Sequence, residues 1–499
     1  MHCGYVVKVE KLRPHTNAHR LQIATFFGSD TTVDLSVKVG DVGVYFPVDL
    51  QLSEEYCAQN NLVRKKDENG NNVGGFLDPD KRNIKAIKLR GEKSDGLYMP
   101  LKSFDYCFIS DEDRDNPVID ITEGIAHKHM KVGDQITVLN GHEICQKYIP
   151  RSNRRVGHYS NGNKTRNHKV PYAPLFSEHV DTEQLAYNTG AFKVGDEIEV
   201  SLKMHGTSQR TAYLPIFKGY KKQTLWQRIR KVPKEPIYEY DYVSGTRRVV
   251  MEDFEGGNSF YGSNEFREQH HNAFVGKLNK GETVFYEVVG FTHTGTPIMS
   301  PGNNEKLGKD FVKQYGKETV FSYGCTPTGK KLMYGEDEHG KFEISQDCPQ
   351  SDMYVYRMTL TNEDGYTIDY TPDMVRYRCE QMGVKTVPVF GKGFISPDRL
   401  HFIEPDGTDH DYRITEEETP GDQVFKLAEE YFGGTDPVGK THIREGVVVR
   451  ILNRPKFCAY KAKCFEFKVL ENLIKDLADA PDMEEAQEIL DEVSEEITQ

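Results

Sequence analysis

Apolar and polar residues alternate at short range along most of this chain. The runs "YVVKVEKL" (Tyr5 to Leu12), "VGVYFPV" (Val42 to Val48), "VFYEVVG" (Val284 to Gly290), "MYVYRMTL" (Met353 to Leu360) and "REGVVVRI" (Arg444 to Ile451) follow a period of two or are apolar throughout. Such runs, bounded by Gly, Asn and Asp, predict strands. "FFGSDTT" at Phe26 to Thr32 predicts a tight hairpin connection, and "AIKLRGEKSDGLYMPL" at Ala86 to Leu101 pairs a basic strand with a glycine-flanked turn. The first ~145 residues therefore predict a small β-barrel. Long helical periods are few, so the class is α+β with antiparallel sheets rather than a doubly wound parallel sheet. Near the end, Leu473, Leu477, Ile489, Val493 and Ile497 fall at helical intervals interrupted by Pro481, predicting two short amphipathic helices.

At 499 residues the chain exceeds one ordinary core. The pattern divides it into a barrel domain at 1–146, a linker at 147–170, a catalytic domain at 171–470 and a helical tail at 471–499. No apolar run has the length of a membrane span, and "MHCGYVVKVEKLRPH" lacks the apolar centre of a signal peptide. Nine cysteines show no Cys-x-x-Cys pair and no zinc spacing, which predicts reduced thiols and a cytoplasmic setting, host cytoplasm if the source is viral. Neither a Gly-x-x-x-x-Gly-Lys-Ser/Thr loop nor a Gly-x-Gly-x-x-Gly fingerprint occurs.

A net charge of −13 argues at first against a nucleic-acid partner. Its distribution reverses that inference, because Glu471 to Gln499 alone carries −10. Lys147 to Lys169 holds seven cations and no acid, as does Lys218 to Lys234. Each is either a solvated loop or a phosphate footprint.

The candidate chemistry begins at "SLKMHGTSQR", Ser201 to Arg210, where Lys203 ends a predicted strand just before a turn at Gly206. Five further stretches follow in order. "VSGTRRVV" places Arg247 and Arg248 in a β-like run, "VFYEVVG" places Glu287 inside an apolar strand, and "MYVYRMTL" places Tyr354 and Tyr356 on one face. "REGVVVRI" puts Glu445 at the head of a strand, and "CAYKAKCFEF" puts Lys461 and Lys463 on a common face. Taken singly, these are an edge acid, a half-buried tyrosine pair and solvated lysines. Together they make the inventory of a nucleotidyl transfer through lysine. The nucleophile must lose its proton near neutral pH, which neighbouring cations favour. Carboxylates suit Mg²⁺ or Mn²⁺, guanidinium suits phosphate, and an aromatic face suits a purine.

The series "KMHG … SGTRR … FYEVVG … YVYR … EGVVVR … YKAK" resembles the nucleotidyltransferase motifs of ATP-dependent polynucleotide ligases, and within them the nick-sealing RNA ligases with an N-terminal OB domain. The early "HTNAHRLQIAT … LRGEKSDGLYMP" pattern likewise resembles tRNA-binding-type OB domains. The resemblance implies that Lys203 becomes a lysyl-AMP, that Gly206 belongs to the nucleotide loop, and that Arg247 (or Arg248 beside it) and Glu287 bind the nucleotide. It implies Tyr356, or Tyr354, as the adenine-stacking aromatic, Glu445 as a metal ligand, and Lys461 and Lys463 as α-phosphate contacts. His205 stands where many ligases carry aspartate, and histidine occurs there in RNA-ligase relatives. The implied cofactors are ATP with Mg²⁺ or Mn²⁺, and the implied partner is RNA, a nicked duplex or broken ends, with no membrane. The OB domain and both basic stretches would then hold the RNA backbone. Two other readings compete. One is a DNA ligase or a capping guanylyltransferase, which carry their OB domain after the catalytic core. The other is a nucleic-acid-binding protein with an inactive transferase fold.

Overall fold

The computed structural model describes residues 2–66, 68, 72–109, 125–149, 170–254, 261, 263–337 and 340–476. Most of the 147–170 basic stretch and the tail beyond 476 lie outside these residues; of the two expected tail helices, only the part up to 476 is described, as the end of the helix Phe465–Asp476. The chain forms two compact units.

The N-terminal unit contains the described residues of Met1–Asn153 together with Asn303–Val312 and Lys468 onward. Its main sheet is antiparallel, in the order Leu97–Pro100, Val42–Phe46, Gly4–Lys8, Gln135–Ile136. A second, three-stranded sheet joins Leu12–Pro14, Leu21–Phe26 and Ser29–Asp34. Val6, Val44, Phe46, Leu52, Tyr56 and Phe104 form the core below them. The two hairpin turns expected from sequence are present. Phe27 and Gly28 link paired strands with φ of 50° and 74°, and Arg90 and Gly91 do so with 49° and 95°. Positive φ at both central residues gives the twist that two-residue hairpins favour.

The expected barrel is not closed among the described residues. Its strands are mostly two to six residues long and are split between separate small sheets. The unit also departs from the linear division read from sequence. Asn303–Val312 is tied to it by Lys88 Nζ donating to the Leu307 carbonyl at 2.9 Å. Lys468 pairs with Asp95 at 2.5 Å, and the expected boundary at 470/471 falls inside one helix, Phe465–Asp476.

The larger unit is α+β, as the sequence predicts, and is built on two sheets. The first orders Glu183–Gln184, Ala459–Lys463, Gly446–Ile451, Glu197–Lys203, Val389–Ile395, Arg399–Ile403 and Asp409–Arg413. All its pairs are antiparallel except the short edge pairing of Glu183–Gln184. The second runs Val250–Met251, Pro236–Gly245, Thr207–Tyr220, Glu282–Gly290, Ser351–Thr361 and Thr367–Asp369, with Lys385–Thr386 added in parallel.

Each sheet buries one face under a helix. Pro420–Phe432 lays Val424, Leu427 and Ala428 against Ile198, Val200, Val447 and Val449. A Thr419/Asp422 capping box and Pro420 in the first turn set where this helix starts. Pro372–Met382 lays Val375, Cys379 and Met382 against Val284, Tyr286, Val355 and Met358. Arg378 also grips fully buried Glu282 with two hydrogen bonds of 2.9 and 2.8 Å, so neither buried charge is left alone. Alternation leaves the opposite face of the first sheet to Glu199, Ser201, Lys203, Arg450, Lys461 and Lys463, whereas that of the second packs Ala212, Leu214, Ile216 and Val243 against Ala173 and Phe176.

Candidate active site

Glu197–Lys203 lies in the middle of the first sheet, and Thr207–Tyr220 in the middle of the second. The chain passes between them through Met204, His205 and Gly206 alone. Lys203 therefore sits at the point where the backbone changes sheets. Gly206 is required there, because a Cβ would lie 2.4 Å from the Val288 carbonyl oxygen and 2.9 Å from Glu287 Cγ. The Gly206 N–H donates to Glu287 Oε1 at 3.1 Å, so the strand carboxylate holds the lysine loop.

Register does the rest. Lys203 pairs with Gly446, and Gly446 pairs with Lys463, so the two lysines flank a residue without a side chain. Two residues back, Ser201, Val448 and Lys461 make the parallel row. Residues two apart share a face, so Lys461 and Lys463 point as Lys203 does, while Val447 and Ala462 enter the core.

Glu445, at the head of the Gly446–Ile451 strand and 2% exposed, reaches both cations with one oxygen. Its Oε1 lies 2.7 Å from Lys203 Nζ and 3.3 Å from Lys463 Nζ. Its other oxygen is 3.8 Å from His205 Nδ1. Lys461 completes the cluster. Burial, reinforced by Lys463, Lys203 and Arg247 and opposed by Glu445, pushes its pKa from 10.5 down to about 8.

Arg247 does not lie in a strand, as the sequence suggested. Pro236–Gly245 ends before it, and the Thr246 N–H donates to the Val249 carbonyl at 2.9 Å, closing a turn. That turn separates the two arginines. Arg247 is half-buried and paired with Asp181, whereas the Arg248 side chain is exposed.

Tyr354 and Tyr356 share the face opposite Met353 and Val355, which enter the core, as the sequence predicts, but their partners differ. A bulge in the pairing of Glu282–Gly290 with Ser351–Thr361 matches Phe285 to Arg357 and Tyr286 to Val355, leaving Tyr356 as the extra residue. Tyr356 hydrogen-bonds Ser208 Oγ at 3.0 Å and meets the His179 ring at a 5.4 Å centroid distance. Tyr354 is instead engaged by Asp352 at 3.1 Å and by the Lys385 ammonium over its ring.

Several residues around the cluster had no sequence signal. Tyr323 OH accepts the His205 N–H at 2.7 Å, and its ring meets His442 edge-on at 4.5 Å. The His205 ring stands edge-on to Phe321 and Phe467. His179 is kept neutral, its pKa lowered to about 3 by burial and then by Arg247. Arg210, the largest fully buried side chain, donates to the carbonyls of Phe176, Ser177, Thr246 and Arg248. It thus clamps the His179 segment to the Arg247 turn. A fully buried arginine acting on main-chain carbonyls of two segments far apart in sequence leaves no local pattern to read.

The donor set suits a phosphate-bound divalent ion better than a resident metal. No group of three or more His, Cys, Asp or Glu side chains converges among the described residues. Glu445 offers hard oxygen donors beside cations that would face phosphate. Mg²⁺-type ions are commonly held by one or two carboxylates plus substrate phosphates.

No family model matches the chain, and no curated protein matches it. Solved structures of the RNA ligase of Naegleria gruberi are similar to it. A lysine-to-methionine mutant with AMP and Mn gives a TM-score of 0.48 at 15% identity, covering 94% of this chain and 98% of that one. A lysine-to-alanine mutant with ATP and Mn gives 0.46 at 16%, covering 94% and 97%. The same ligase with PPi gives 0.45 at 15%, covering 93% and 96%.

Proposed function

We propose that this chain is an ATP-dependent RNA ligase that joins 3′-OH and 5′-phosphate ends through a lysyl-AMP on Lys203. The observation that carries the reading is the row Lys203, Gly446, Lys463, in which one buried carboxylate oxygen of Glu445 lies within 3.3 Å of both ammonium groups. Packing three lysines around one carboxylate, with Arg247 close to Lys461, is unfavourable in an empty site and suits a polyphosphate.

In the first step Lys203 Nζ forms a bond to the α-phosphorus of ATP while the bond to pyrophosphate breaks. The lysine must first shed a proton, and Glu445 is the acceptor in reach. Lys461, Lys463 and Arg247 neutralise the phosphate oxygens, and Glu287 holds the Gly206 loop in place. Tyr356 presents its ring to the adenine beside His179. When bound at Glu445, Mg²⁺ or Mn²⁺ would supply further charge neutralisation at phosphate oxygens. AMP then passes to the RNA 5′-phosphate, and the 3′-OH displaces it. Catalysis is positioning and charge neutralisation throughout. The N-terminal unit, as an OB-type module at 1–146, supplies RNA binding.

The test is covalent labelling by α-³²P-ATP. Wild-type protein should retain label after denaturation and Lys203→Ala should not, while label from GTP would point to a capping-type enzyme. A labelled Lys203→Ala protein would sink the reading. Nicked duplexes with independently RNA or DNA strands then separate RNA from DNA ligase.

A further inference from the structure

The strand that leaves the Gly206 loop runs 14 residues, Thr207–Tyr220, and returns as Pro236–Gly245. At ~3.3 Å per residue, about 45 Å of strand separates the lysine loop from the hairpin tip. The tip is ordered. A Thr224/Gln227 capping box starts a short helix at Leu225–Ile229, and Gln223 Nε2 donates to the Val232 carbonyl at 2.6 Å. Yet its apolar residues face outward. Leu225 is 73% exposed, Trp226 70% and Ile229 63%.

Around them stand seven cations. Lys218 pairs with Asp241 and Lys221 with Glu235. Lys222, Arg228, Arg230, Lys231 and Lys234 have no carboxylate partner among the described residues. An aromatic face set among unneutralised cations is the combination that binds single-stranded nucleic acid, with bases stacking and phosphates paired. A polymer is also the substrate class that spans both ends of this hairpin. A membrane is the poorer match, since a five-residue helix buries little apolar surface and stable anchoring generally takes two signals.

We propose that this tip is a second RNA contact, in which Trp226 stacks on an unpaired base while Lys222, Arg228, Arg230, Lys231 and Lys234 pair with neighbouring phosphates. This deepens the RNA-ligase reading and rests on it for the choice of RNA as the polymer.

Trp226 is the single tryptophan of the chain, so intrinsic fluorescence reports on the tip alone. The probe is a single-stranded RNA of roughly 20 nucleotides, long enough at ~3.4 Å per phosphate to cover the hairpin. Saturable quenching of Trp226 is expected. With end-labelled RNA, Trp226→Ala should bind roughly 5- to 150-fold more weakly. Neutralising Lys222, Arg228, Arg230 and Lys231 together to Gln should flatten the slope of log affinity against log salt by about 3, at ~0.7 per cation. Both variants should keep wild-type AMP labelling of Lys203, which shows that they fold.

Unquenched emission, or unchanged affinity and salt slope in the variants, overturns the proposal. So does a blue shift on phosphatidylserine vesicles with no response to RNA, which would assign the tip to a membrane. Quenching by RNA in a protein that never labels with AMP would remove the ligase reading and leave the contact standing. Normal labelling without quenching would remove the contact alone.

Discussion

Replacing Lys461 with Met should stabilise the protein while inactivating it. The side chain is close to isosteric, so packing changes little. What changes is a charge held where burial and three other cations disfavour it, the combination that lowers its pKa from 10.5 to about 8. Below the folded value the lysine is protonated in both states, and the folded state carries the whole penalty. Between the two values the folded protein releases its proton while the unfolded chain keeps it, so wild-type stability gains with rising pH. Above 10.5 the penalty is gone. One pKa unit is worth ~1.36 kcal/mol, so Lys461→Met should gain about 3 kcal/mol at pH 7 and roughly half of that or less at pH 9.5.

Urea unfolding followed by far-UV circular dichroism at the two pH values measures this, with unchanged m-values as the condition for comparison. The same variant should lose AMP labelling by about 10²–10³-fold, the scale of losing one group that stabilises developing charge. A Lys461→Met protein that is no more stable than wild type at pH 7 would refute the reasoning. So would an advantage that stays constant to pH 9.5, because then charge is not its source.

Three further outcomes follow from the same geometry. Glu445→Gln removes the counter-charge of Lys203 and Lys463, and should cost about 3–5 kcal/mol of stability in denaturant titrations together with AMP labelling. Gly446→Ala places a Cβ 1.9 Å from the Ala462 carbonyl oxygen, so the strands must part; a loss of about 1–3 kcal/mol is expected, with slower adenylylation in single-turnover assays. Tyr323→Phe leaves the His205 N–H without its acceptor, which should cost about 1–3 kcal/mol and lower the labelling rate more than the apparent ATP affinity.

The elements that carry the site were legible because each is a local pattern. The lysine strand ends where "GDEIEVSLK" meets Gly206, Glu287 lies inside an apolar strand, and Lys461 and Lys463 share a face across Ala462. Their convergence was not legible, since Lys203, Gly446 and Lys463 meet only through register set over more than 240 residues of sequence. Register also decides details that periodicity leaves open. A one-residue bulge decides that Tyr356, not Tyr354, reaches Ser208, and periodicity alone cannot see an inserted residue. The Arg247 turn was read as strand because strand flanks it on both sides, Pro236–Gly245 before it and Val250–Met251 after it. Asn303–Val312 joined the N-terminal unit through Lys88 and a backbone carbonyl, a bond with no sequence signature.

The charge balance of the site ties its stability to its chemistry. Glu445 can satisfy only part of what surrounds it, because one of its oxygens is already shared by Lys203 and Lys463 while Lys461 gains little from it. Filling the site with hydrophobic residues would make a more stable sheet. In the proposed ligase reading, an arriving polyphosphate takes over Lys461 and Lys463, and that releases the Lys203 ammonium from competition for Glu445. On that reading, the cost of assembling like charges is met during folding, by the two helix-backed sheets, and is recovered when phosphate binds. This places the cations ahead of the reaction, which is the condition under which fixed charges stabilise a transition state most effectively.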